Sequence, residues 1–148
     1  MKRLHYVFVL CFFAVLSSGV ALAVQNVSVA KDKANVRTGP GTNHPKVMEL
    51  FTGYPLQVVS KKGDWLEVVD YEKDSGWIHN SLVKAQDTVI VVSKNLINMR
   101  SGPSTKDDIL ADVQQGVVLQ KLSSQGQWTK VRHSNGLVGW IYSPLLWP

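Results

Sequence analysis

The side chains best suited to bind something recur in pairs. Arg37 and Arg100, Trp65 and Trp128, and His79 and Tyr142 each stand 63 residues apart, so one kind of chemistry is offered twice. Arginine presents a planar fork of donors that fits a carboxylate, while an indole or phenol offers a flat face on which an extended chain can lie. With Tyr71 added, the candidate ligand-binding residues are Arg37, Trp65, Tyr71 and His79 in the first set and Arg100, Trp128 and Tyr142 in the second. Such residues suit a shallow groove between loops. Each also has a structural reading. Arg37 and Arg100 sit at the mouth of a turn-forming loop, where a guanidinium serves either a ligand carboxylate or the loop's own carbonyls. Trp65 and Trp128 open a strand after a glycine-containing turn, a place that fits packing and ligand contact equally. Trp77 and Trp140 follow glycine inside an apolar run and are expected in the core.

Other chemistries find little to work with. The single cysteine, Cys11, falls in an apolar leader, and Leu10 before it is too bulky for a lipid-modified cysteine. His44, His79 and His133 lack the close spacing of a metal site, so neither a metal nor a cofactor is expected. No Gly-x-Ser-x-Gly, His-Glu-x-x-His or phosphate-binding loop is present, and the chain is read as not an enzyme. Asp107-Asp108 is a carboxylate pair whose members point apart in an extended chain, which makes it a solvated loop.

The leader bounds the compartment. Met1-Lys2-Arg3 gives a positive start, residues 6–16 an apolar core, and Ala21-Leu22-Ala23 a small-residue end. That is a secretory signal over residues 1–23, with an uncleaved anchor as its rival. Cleavage leaves 14 basic against 11 acidic residues, a net charge of +3, with no cysteine and no stretch for stable membrane insertion. An exported protein, periplasmic or extracellular, follows. Basic residues do not interleave with aromatics as phosphate binding requires, which argues against nucleic acid.

The elements that must position these side chains come in two copies. Residues 27–83 align with 90–146 without a gap, and 18 of the 57 pairs are identical. A period near 60 suits a small domain closing its own core, giving a signal peptide, a first domain over 24–86 and a second over 87–148. The polar linker Lys84-Ala85-Gln86-Asp87 leaves their relative orientation either fixed by contact or free to flex. Each copy alternates short strands with turns and shows no helical period. Ser134-Asn135-Gly136 lies between two β-type runs, where Asn-Gly suits a type I′ hairpin turn. The fold class is all-β, and a sheet this small avoids open edges by curling into a barrel.

Lys33-Ala34-Asn35-Val36-Arg37-Thr38-Gly39-Pro40-Gly41-Thr42 and Leu96-Ile97-Asn98-Met99-Arg100-Ser101-Gly102-Pro103-Ser104-Thr105 resemble the opening motif of bacterial SH3 (SH3b) domains. Gly53/Gly116, Trp65/Trp128, Gly76-Trp77-Ile78 and Gly139-Trp140-Ile141 fall in the family's order. The resemblance implies two tandem SH3-like barrels and a setting in the cell envelope. It also implies the role such domains play beside wall hydrolases, that of a binding module for peptidoglycan or an extended peptide. An adaptor that holds another envelope protein is the alternative, and a minimal wall hydrolase the remote one.

Overall fold

The computed structural model describes residues 25–148, so the leader at residues 1–23 lies outside the described residues. The first copy contains β1 (Gln25–Val29), β2 (Ala34–Arg37), β3 (Lys46–Leu50), β4 (Pro55–Lys62), β5 (Trp65–Val69), β6 (Ser75–His79) and β7 (Val83–Ala85). The second contains β8 (Thr88–Val91), β9 (Ile97–Arg100), β10 (Ile109–Val113), β11 (Val118–Gln125), β12 (Trp128–Arg132), β13 (Val138–Tyr142) and β14 (Leu146–Trp147). Each set forms one antiparallel sheet. Their orders, β3-β2-β6-β5-β4-β1-β7 and β10-β9-β13-β12-β11-β8-β14, are the same topology twice. Among the described residues, only single 3-10 turns at Asn80–Leu82 and Ser143–Leu145 break the strand pattern. The chain is all-β, two tandem SH3-like domains, as the sequence implies.

Alternation explains which side chains go in. On β2, Ala34 and Val36 are buried while Asn35 and Arg37 face outward; on β6, Gly76 and Ile78 are buried while Ser75, Trp77 and His79 face outward. Val36, Leu56, Val68 and Ile78 anchor the first core, and Met99, Leu119, Val131 and Ile141 the second. Each such side chain removed from water contributes about 2 kcal/mol. Trp77 and Trp140 correct the expectation of core tryptophans. A strand places neighbours on opposite faces, so with Ile78 and Ile141 inward these indoles lie half-buried on the outer face.

The hairpin at residues 133–137 forms, with a different turn. Gly136 N donates to His133 O and His133 N to Leu137 O, and of the central residues only Gly136 has positive φ, +90°. This is a type I turn followed by a left-handed residue, not type I′. In the first copy Asp70 N donates to Asp74 O and Lys73 N to Asp70 O, with Lys73 at φ 75° in glycine's place.

The gapless repeat register also needs correction. Val29 N donates to Tyr54 O and Gly53 N to Val29 O, while Val91 N donates to Val117 O and Gly116 N to Val91 O. Tyr54 and Val117 are 63 apart but Val29 and Val91 only 62, since residues 92–96 form a loop one residue longer than 30–33. A one-residue slip reverses every side chain of a strand. Val89 and Val91 therefore face the second core, and Ile90 turns outward into the core of the first copy.

That reversal joins the domains. Val92, Val118 and Trp147 also pack against the first core. Beside them Ser28 Oγ lies 2.7 Å from Thr88 Oγ1, Thr88 Oγ1 donates to Gly53 O at 2.5 Å, and Asp87 N donates to Ser28 Oγ at 3.3 Å. Ser28 is fully buried and Thr88 nearly so. Orientation between the copies is thus set by contact.

Candidate functional site

The outer face of each barrel collects most of the side chains singled out by the sequence. In the second copy Trp128 pairs directly with Tyr142, and Trp140 with both Lys130 and Arg100. Residues opposite one another on antiparallel strands project to the same side, so these five share one surface. The Trp128 and Tyr142 rings meet edge to face at 5.8 Å, and Tyr142 Oη donates to Gln127 Oε1 at 2.9 Å. Lys130 Nζ stands 5.8 Å from the Trp140 ring. Trp128, Tyr142 and Arg100, with Asn98, Ser104 and Leu145, line a cleft of about 560 Å³.

The first copy builds the same face from different parts. Trp65 pairs with His79 and Glu67 with Trp77, which also faces Arg37. The Trp65 indole and His79 imidazole meet at 5.3 Å and 83°. His79 Nδ1 accepts from Ser81 N at 3.3 Å and lies 2.8 Å from Ser81 Oγ. The ring therefore caps the 3-10 turn at Asn80–Leu82, and a serine beside a histidine here is a capping contact. Asn35 Oδ1, at the position of Asn98, is buried without a hydrogen-bond partner among the described residues.

The arginines hold their loops. Arg37 donates from one terminal nitrogen to His44 O at 2.8 Å, and Arg100 to Thr105 O at 3.1 Å and Asp107 O at 2.9 Å. Both loops turn too tightly for these carbonyls to reach a strand partner, so the guanidinium supplies one. The His44 ring and the Asp107 carboxylate occupy equivalent places, each packed on its loop glycine, Gly39 or Gly102.

Tyr71 is not brought to the Trp65–His79 pair. It follows the far end of β5, with the four residue steps from Trp65 to Val69 spanning roughly 13 Å. Its hydroxyl points toward Gly116 of the second copy, and its ring packs on the first core. Burial raises its phenol pKa, with Glu72 and Asp70 adding to the effect. Nearby, Asp70 accepts from Glu72 N and Asp74 N at 2.9 Å each, and from Tyr54 Oη at 3.2 Å. Burial first, then Asp70, pushes the Tyr54 phenol far above its ordinary 10.0. Asp70, Glu72 and Asp74 bring carboxylate oxygens within 4.8 Å of one another, yet both Asp70 oxygens already accept hydrogen bonds, Oδ1 from the turn's own N–H groups and Oδ2 from Tyr54 Oη, which makes Asp70 a clamp on the turn.

Trp77 and Trp140 are the site residues that sequence reasoning misplaced, and strand phase held the signal. Ser104 and Leu145 had no signal of their own, because only folding brings the loop and the last 3-10 turn beside Trp128.

Fold and face together define a tandem of small SH3-like barrels, each presenting an aromatic pair beside a loop braced by arginine. Residues 30–84 and 93–148 match the family model described as Bacterial SH3 domain, and the chain belongs to that family through both of its copies. YrvJ of Bacillus subtilis (strain 168), named as an N-acetylmuramoyl-L-alanine amidase, is 23% identical over 158 residues, covering 97% of this chain and 30% of that protein. The chain thus spans less than a third of that relative's length. Among solved structures, NlpC2 of Trichomonas vaginalis is 14% identical at a TM-score of 0.38, with 85% of this chain and 48% of that one covered. An NlpC/P60 family protein of Bacillus cereus ATCC 10987 is 18% identical at a TM-score of 0.39, with 82% and 55% covered.

Proposed function

We propose that this protein is a non-catalytic binding module of the cell envelope, exported by its leader, that recognises peptidoglycan or an extended peptide on its aromatic faces. The pairing of Trp128 with Tyr142 beside the Arg100-braced loop carries the reading. A cleft of about 560 Å³ that opens along a sheet face suits a chain laid on rings better than an enclosed substrate. Bacterial SH3 family membership and the amidase name of a relative point the same way. Two linked faces would add avidity on a polymer.

A pull-down on purified sacculi tests this. The protein is expected to co-sediment, and Trp65→Ala with Trp128→Ala to release it; undiminished co-sedimentation of the double variant would remove the aromatic faces from the account. One observation favours a second reading, the adaptor. Strand β10 lies at the edge of its sheet with Ile109 55% and Leu110 43% exposed, and such an edge can accept a strand from another protein. Crosslinking in cells to one protein, with no wall fragments, would select it.

A further inference from the structure

A second cavity lies between the copies, at the opposite end of β12 from Trp128. The turn at Thr52 and Gly53 of the first copy meets Arg132, His133, Ser134 and Gln120 of the second around a cleft of about 350 Å³. That volume falls within the range of small-molecule sites.

Its chemistry has one sign. Among the described residues, the lining holds one guanidinium, one imidazole, hydroxyls and an amide, and no carboxylate. Arg132 donates from one terminal nitrogen to Gln120 Oε1 at 3.3 Å, which steadies the fork across a strand pair. His133 Nδ1 accepts from Asn135 N at 3.2 Å, leaving Nε2 to donate. A fork of N–H donors, a second nitrogen donor and hydroxyls within one cleft match an oxyanion that carries hydroxyl groups.

The two walls are held together at their base. Gly53 and Thr88 line the cleft and are joined there by the hydrogen bond from Thr88 Oγ1 to Gly53 O, which Ser28 Oγ extends. Ile90, buried in the first core, fixes the second copy behind them. The cleft therefore exists before any ligand arrives, so little ordering opposes binding.

We infer that the cleft between the domains, with Arg132 as its anchor, is a binding site for an oxyanion on a hydroxyl-bearing unit, a phosphate ester or a sugar carboxylate. The site is distinct from the aromatic faces and stands whether or not they bind peptide. Both domains contribute to it, so neither copy alone would hold the ligand.

Amide NMR titration of the full chain tests it, with glycerol 3-phosphate as the phosphate arm and N-acetylmuramic acid as the carboxylate arm. The expected result is saturable shifts at Thr52 and Gly53 together with Ser134 and Gly136 in at least one arm. Arg132→Gln should weaken binding roughly tenfold, as loss of one charge-assisted hydrogen bond does, while Arg132→Lys keeps part of it and Trp128→Ala leaves it unchanged. Shifts confined to one domain, shifts equal in Arg132→Gln, or none in either arm would overturn the assignment. Unaltered spectra of the Arg132→Gln variant away from the cleft confirm that it is folded.

Discussion

Gly139 has no room for a methyl group, because a Cβ there would lie 2.9 Å from the Arg100 carbonyl and closer still to the Met99 side chain. The backbone oxygen cannot move aside as a side chain can, so Gly139→Ala is expected to destabilise the second copy by about 1 to 3 kcal/mol, read as a lower urea midpoint. Tyr54 gives a pH test. Its folded phenol pKa is raised above 10.0, so folding favours the protonated form. That contribution is whole below about pH 10 and is lost as pH climbs toward the folded value. Stability of the wild type should fall more steeply above pH 10 than that of Tyr54→Phe, measured by denaturant unfolding across the range. Tryptophan and arginine identities at the faces were legible from their 63-residue repetition. The guanidinium partners were not, because which carbonyl a loop leaves unmet depends on its folded path. Nor was the place of Tyr71, which lies near Trp65 in sequence but beyond the opposite end of a strand.

Elements carry the repeat, and two of them show where a sequence speaks and where it falls silent. The turns at Lys73 and Gly136 are equivalent, and both residues are left-handed, at φ 75° and 90°. A lysine there costs about 1 to 2 kcal/mol, while glycine adds freedom to the unfolded chain worth about half of that. Lys73→Gly should therefore stabilise the first copy slightly, by under about 1 kcal/mol, seen as a higher melting temperature. Strand positions were readable because Gly, Pro and Asn punctuate alternating runs, and on β6 and β13 the buried isoleucine already sets the phase that puts Trp77 and Trp140 outside. Strand β8 was not readable in this way. Val89-Ile90-Val91-Val92 is apolar throughout, so no alternation marks which residues face which side, and only the extra loop residue after it reveals the reversal.

For the whole molecule, that reversal turns two copies into one body. Strand β8 is buried on both sides, its valines in one core and Ile90 in the other. Ile90→Ala should cost about 2 to 5 kcal/mol and, by loosening the seam, split a single calorimetric transition into two; an unsplit transition at the wild-type temperature would show the seam to be idle. A joined pair fixes the relation of its two aromatic faces, which suits a polymer more than a single small ligand. The five tryptophans report on this directly. Trp65, Trp77, Trp128 and Trp140 lie on the outer faces, and Trp147 packs at the seam against the first core. Titrating the protein with soluble muropeptides while following the indole N–H resonances should move those of Trp65 and Trp128 and leave that of Trp147 in place. If Trp147 alone shifts, or none does at saturating muropeptide, the aromatic faces are not where this protein binds.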